Sequence, residues 1–316
     1  MQVQSGEIQL TAVNGQRTSI REKRRRQRRR RRNIAIVKLT VLAVLAVCAV
    51  RLLWHVGAMN LGDMRWEDYR ADGYVKEEDA HLEEPVKRDE SDIEKKIRKL
   101  AKKDSAYQAI YDNYDAYPEE LLGMLCNNPD MLSFVQGYPD AKPEATGGFE
   151  KEELSAAFPL LIQWDKRWGY APYGGSDIAI SGCAPTCLSM VTLALTGNQE
   201  ATPDKVAAYA EEAGYYLEGT GTAWSLMTEG CTHFGVCGTE ISLDESVIRQ
   251  HLQNGEPIIC SVGPGDFTTQ GHFIVLVGEE DGRLVIHDPN SKERSKVLWS
   301  YDTVLPQIKN LWAFTK

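Results

Sequence analysis

The stretch ISGCAPTCLSMVTLALTG, Ile180–Gly197, reads as a buried helix with a cysteine at its head. Pro185 suits a first helical turn, Leu188, Val191 and Leu195 recur on one face, and Gly197 is a natural C-terminal stop. Cys183 then sits where unpaired amide donors and the helix dipole favour a thiolate. The neighbouring Gly182 and Ala184 are small enough to leave the sulfur approachable. Cys187 follows one turn later on the same side and reads as a small buried residue rather than a resolving thiol.

A thiol nucleophile needs a base, and the chain offers His55, His81, His233, His251, His272 and His287. Only His272 opens a strongly apolar run, HFIVLVG, which places an imidazole at the start of a buried strand. The turn Glu280-Asp281-Gly282 sends the chain back through RLVIHDP, so the two strands form a hairpin and Asp288 returns to the level of His272. A carboxylate there orients the ring and stabilises its cation. His287 alternates to the opposite face.

Other groups read as structural. Cys231, His233 and Cys237 lack a fourth zinc ligand nearby, and Cys231 falls on the apolar face shared by Met227 and Phe234, although a Cys231–Cys237 disulfide stays open. Cys260 lies in the apolar strand PIICSVG. There is no phosphate-binding glycine loop, paired-carboxylate pattern or dinucleotide fingerprint, so neither an organic cofactor nor a metal is expected.

Composition is ordinary for a globular protein, with 42% hydrophobic and 26% charged residues in 316, but charge is unevenly placed. Residues 1–33 carry eleven Lys and Arg against two Glu, whereas residues 52–316 carry 23 basic against 43 acidic side chains. The acidic surface excludes a nucleic-acid partner for the long C-terminal part. The arginine block REKRRRQRRRRR instead precedes NIAIVKLTVLAVLAVCAVRLLWHV, in which Ile34–Val50 gives 17 residues if Lys38 snorkels. We expect a cytoplasmic tail over 1–33, a single transmembrane signal anchor over 34–56, and everything beyond it outside the cytoplasm. A cleaved signal ending at Val56-Gly57-Ala58 is the alternative, giving a secreted protein.

Residues 57–90 are acidic and without periodicity, which suits a solvated stalk. A small helical segment follows over 91–137. It is opened by a Ser91/Glu94 capping box, carries Ile93, Ile97, Leu100, Tyr107, Ile110, Tyr111 and Tyr114 at helical spacing, and restarts at Pro118 and Pro129. A linker over 138–157 leads into a last domain at 158–316.

The motifs QWDKRWGYAPYGG, SGCAPTCLSMV, GHFIVLVG and IHDPN, in that order, resemble the bacteriocin-processing-like cysteine peptidases, family thirty-nine of the papain-like clan. The YPEELL segment (117–122) resembles what precedes such domains in surface proteins of Gram-positive bacteria. The resemblance implies a papain-like α+β fold, with the nucleophile on an N-terminal helix and His and Asp on an antiparallel sheet. It further implies Cys183 as nucleophile, His272 as base and acid, Asp288 as orienter, and Gln163 as side-chain donor to the oxyanion beside the Cys183 amide. The best-known relatives cut after a double glycine, but Gly147-Gly148 here reads as a flexible linker.

The expected function is therefore a membrane-anchored extracytoplasmic cysteine peptidase or amide hydrolase working through a thioester. Its substrates would be peptides or proteins, cell-wall peptide included. The competing reading is a non-catalytic surface module that binds peptides in the same cleft.

Overall fold

The computed structural model describes residues 73–316. The basic tail, the expected span over 34–56 and the first part of the stalk lie outside the described residues, among which no helix is long and apolar enough to cross a membrane.

The apolar runs of the C-terminal part make one seven-stranded sheet. Its strands are β1 (Val75–Lys76), β6 (Cys237–Glu240), β7 (Ile258–Val262), β8 (His272–Glu280), β9 (Arg283–His287), β10 (Val297–Trp299) and β11 (Ile308–Thr315), in the order β1-β10-β9-β8-β7-β11-β6. All pairings are antiparallel except β1 with β10. Two short hairpins, β2–β3 (Pro172–Tyr173, Ser176–Asp177) and β4–β5 (Tyr216–Leu217, Gly221–Thr222), stand apart from it.

The period-2 alternation of the strands divides the core. Ile259, Phe273, Val275, Trp312 and Phe314 point to one face and pack with Leu188 and Val191. Ile258, Cys260, Ile274, Leu276 and Ala313 point to the other and pack with Ile248, Leu252 and Val304.

Eleven helices surround this sheet among the described residues: α1 (Glu90–Ala101), α2 (Gln108–Asp112), α3 (Glu119–Asn127), α4 (Leu132–Gly137), α5 (Lys151–Ser155), α6 (Ile178–Ser181), α7 (Cys183–Thr196), α8 (Pro203–Glu212), α9 (Ser225–Thr228), α10 (Glu245–Gln253) and α11 (Tyr301–Val304). The nucleophile-bearing candidate, α7, is buried on every side from Ala184 to Leu193, which is why it carries no charge there and why its Thr186 and Ser189 hydroxyls donate to the Gly182 and Ala201 carbonyls. Gly197 closes it in the left-handed conformation, φ 69°. This mixed α+β arrangement, a central helix on a largely antiparallel sheet, fits the papain-like expectation.

Three readings of the N-terminal half differ from what is observed. Residues 75–88, expected as a free stalk, are tied to the last domain while most of their side chains stay exposed. Val75 and Lys76 pair with Val297 and Leu298, Glu77 accepts the Ser300 amide at 2.9 Å, and Arg283 reaches Glu78 at 2.9 Å. Two of the acidic residues that make this segment look solvated, Glu77 and Glu78, are docking groups, and their partners lie more than 200 positions away.

The core of the helical segment is not closed on itself. Ile97, Ile110, Leu121, Leu122, Leu125 and Phe134 share one cluster with Ile162, Trp164 and Ala179 of the last domain. Its first helix is capped by Asp89, whose side chain accepts from the Asp92 amide, two residues before the expected Ser91 cap.

The linker over 138–157 is also pinned. The Thr146 amide donates to the Arg167 carbonyl at 2.8 Å, and α5 brings Glu153, 3% exposed, onto the Arg167 guanidinium at 2.6 Å, where Asp165 joins at 2.8 Å.

Candidate active site

Cys183 is the first residue of α7, and its side chain is half-buried. The chain reaches it through α6, capped by the Asp177 carboxylate on the Ile180 amide, and then turns sharply at Gly182. A Cβ on Gly182 would lie 2.5 Å from the Ile178 carbonyl oxygen, so glycine is required there for the backbone to pass. This replaces the expectation that Gly182 and Ala184 clear a path to the sulfur, since Ala184 is fully buried in the core. Cys187, one turn on, is fully buried, and that burial pushes its thiol well above the ordinary range, with Cys183 adding to the effect.

His272 begins β8 opposite Val262 of β7 and is 7% exposed. The hairpin to β9 turns at Asp281 and Gly282, both at positive φ (52° and 74°), the pairing that an Asp-Gly dipeptide favours. The chain then leaves β9 at His287, and Asp288, fully buried, comes to rest beside His272. Its Oδ1 accepts from the His272 Nε2 at 2.7 Å and from the Asn290 amide at 2.8 Å.

A carboxylate has only acceptors to offer, so Nε2 carries a hydrogen and Nδ1 is the nitrogen left for the thiol. Burial opposes a charge on the ring. The Asp288 charge and hydrogen bond, together with a smaller contribution from Cys183, outweigh it and raise the His272 pKa. The loop carrying Asp288 is fixed on all sides, because the Ser295 hydroxyl accepts the Asp288 amide at 2.9 Å and the Gln163 amide donates to the Pro289 carbonyl at 2.8 Å.

Gln163 is 2% exposed and its Nε2 donates to the Ala179 carbonyl at 2.7 Å. The amide has a second hydrogen on that nitrogen. Although Gln163 precedes Cys183 by 20 residues, the β2–β3 hairpin and α6 fold the interval back. Gln163, Cys183 and His272 therefore line one cleft of about 440 Å³.

Its opposite wall comes from outside the last domain: Glu119, Glu120, Asn127 and Asn128 at α3, and Pro85–Arg88 before α1. That wall was not expected, because an extended polar segment and a short helix carry no catalytic spacing. Gly147 and Gly148 do not line the cleft, and both sit at positive φ (61° and 83°).

His287 faces away, as its alternation predicts. Its Nδ1 lies 3.2 Å from the Pro159 carbonyl, and it lines a separate cavity of about 510 Å³ with Tyr74, Phe158 and Val277. The residues weighed for zinc have other uses: Cys231 is buried and donates to the Met227 carbonyl at 3.2 Å, while His233 stacks on Tyr209 with ring centroids 4.0 Å apart. Cys231 and Cys237 are not joined in a disulfide. Among the described residues no cluster of three or more His, Cys, Asp or Glu is placed to hold a metal.

A known family matches the last domain. The model described as Peptidase_C39 like family matches residues 156–316, which include Cys183, His272, Asp288 and Gln163. A comparison with curated proteins gives no match. The match covers just over half of the chain, and the chain belongs to the Peptidase_C39 like family, with a cysteine-peptidase-type domain at its C-terminal end.

Proposed function

We propose that the protein is a cysteine peptidase or amide hydrolase in which Cys183 attacks the scissile carbonyl. The observation that carries this reading is that Cys183, at the head of α7, shares one cleft with an imidazole already held by a buried carboxylate at 2.7 Å. The Cys183 proton passes to the His272 Nδ1 first, and the sulfur then bonds to the carbonyl carbon as the C=O pair moves onto oxygen. The tetrahedral oxyanion is met by the remaining Gln163 Nε2 hydrogen and by the Cys183 amide, which as the first of the helix has no intrahelical acceptor. The imidazolium, stabilised by Asp288, protonates the departing amine as the C–N bond breaks, leaving a thioester. Water then gives a proton to His272 and attacks the thioester, releasing the acid and restoring the thiol.

The partners on this reading are extended peptides, cell-wall peptide among them. The apolar span over 34–56, preceded by eleven basic residues, supports a domain anchored at the outer face of the membrane.

Incubating the full chain with a peptide library and reading cleavage by mass spectrometry tests the activity. Products that disappear with Cys183→Ala support the reading. A library left intact, together with tight peptide binding unaffected by Cys183→Ala, favours the non-catalytic binding module.

A further inference from the structure

The helical segment lies outside the residues matched by the family, yet it reaches the loop that holds Asp288. Its contact is Asn128, the residue after α3, which is 6% exposed. Both ends of this side chain are used. Oδ1 accepts from the Asp130 amide at 3.3 Å and caps the turn that begins at Pro129, while Nδ2 donates to the carbonyl of Asn290, 162 positions along the chain.

The same carbonyl also accepts from the Trp164 indole at 2.9 Å. The Asn290 amide, in turn, donates to the Asp288 oxygen that receives His272. The backbone of Asn290 is thus held from both sides, and Asn128 is the part of that hold supplied by the helical segment. A cap explains the Oδ1 bond and not the Nδ2 one: the capping oxygen needs no burial, whereas a buried amide donor costs free energy unless it is used.

We propose that Asn128 is a positioning residue for the His272–Asp288 pair. By fixing the Asn290 carbonyl, it sets where the Asn290 amide meets Asp288 and so how firmly the carboxylate is aimed at the His272 Nε2. The helical segment is on this view a working part of the catalytic unit rather than a spacer. The inference rests on the cysteine-peptidase reading.

The test is Cys183 modification by iodoacetamide in the full chain, followed by mass spectrometry from pH 5.5 to 9 beside thermal unfolding. The proteins compared are wild type, His272→Ala, Asn128→Ala and Asn128→Ser. Serine keeps a capping oxygen but is too short to reach Asn290, so it separates the two roles and guards against an alanine variant that fails to fold. Both Asn128 variants should slow modification at pH 6 by about fivefold, the worth of one hydrogen bond, and move the profile in the direction of His272→Ala.

Two results overturn the proposal: profiles like wild type in both variants whatever their melting temperatures, or a normal profile restored by serine alone. A profile indifferent to His272→Ala is a different failure, because it removes the peptidase reading and the proposal with it.

Discussion

Two cavities flank the β8–β9 hairpin, and each is lined by a buried histidine. His272 and His287 are equally hidden, at 7% exposure, and both stand on strands of the same sheet. They differ in what surrounds them. His272 meets a fully buried carboxylate and opens onto a cleft with a thiol, while His287 meets the Pro159 carbonyl and lines a cavity walled by Tyr74, Phe158 and Val277. A carbonyl can orient a ring, but it stabilises an imidazolium far less than a carboxylate does. Burial and strand position are common to the two rings; what sets His272 apart is that it opens onto the cleft that also holds the Cys183 thiol.

The contrast breaks most readily by substitution. His272→Ala should cut peptide cleavage by about 10⁴-fold or more, since nucleophile and base act as a unit. His287→Ala should leave the rate per folded molecule within about twofold. Equal losses in steady-state kinetics would mean that the two faces are not distinct.

On the cleft side, Gln163→Ala removes the donor proposed for the oxyanion and should lower kcat by about 10²-fold with KM little changed. An effect confined to KM would make Gln163 a substrate-binding group instead.

Glu153 also lines the cavity beside His287, and that side should respond in stability rather than rate. Glu153→Ala leaves the Arg167 guanidinium short of one buried partner, with Asp165 still attached, and should cost about 3 kcal/mol by denaturant unfolding. Cys183 reactivity should be unchanged by it. A slower thiol in that variant would show that the two cavities are coupled.

The smallest effect is on the pH dependence of stability. The His272 pKa is raised in the folded state, so its imidazolium contributes stability that is complete below the ordinary imidazole value of about 6.5 and is lost as pH rises through the raised one. The gap in melting temperature between wild type and His272→Ala should therefore be widest near pH 5.5 and shrink above neutrality. A gap that widens with pH would mean that the ring is buried neutral.

How much of this was legible varies with the kind of signal. Helix α7, the strand opened by His272 and the Asp-Gly hairpin are local patterns, and Asp288 could be placed because a hairpin returns on itself by simple counting. Gln163 was reached only through resemblance, since its 20-residue path back to Cys183 depends on two tight turns. The docking of 75–88 was illegible because Glu77 and Glu78 bind Ser300 and Arg283, and an extended acidic segment looks the same whether it is docked or solvated. Asn128 was hidden for a similar reason: beside Pro129 it reads as a cap, and nothing local shows that its other end crosses to Asn290.

The central claim is that Cys183 is poised by the His272–Asp288 pair. It is tested most directly by the pH profile of Cys183 modification in wild type and His272→Ala. Wild type should be modified rapidly at pH 6 and His272→Ala far more slowly at that pH, with the difference narrowing as the solution becomes alkaline. Slow modification with an ordinary thiol profile in both proteins would contradict it.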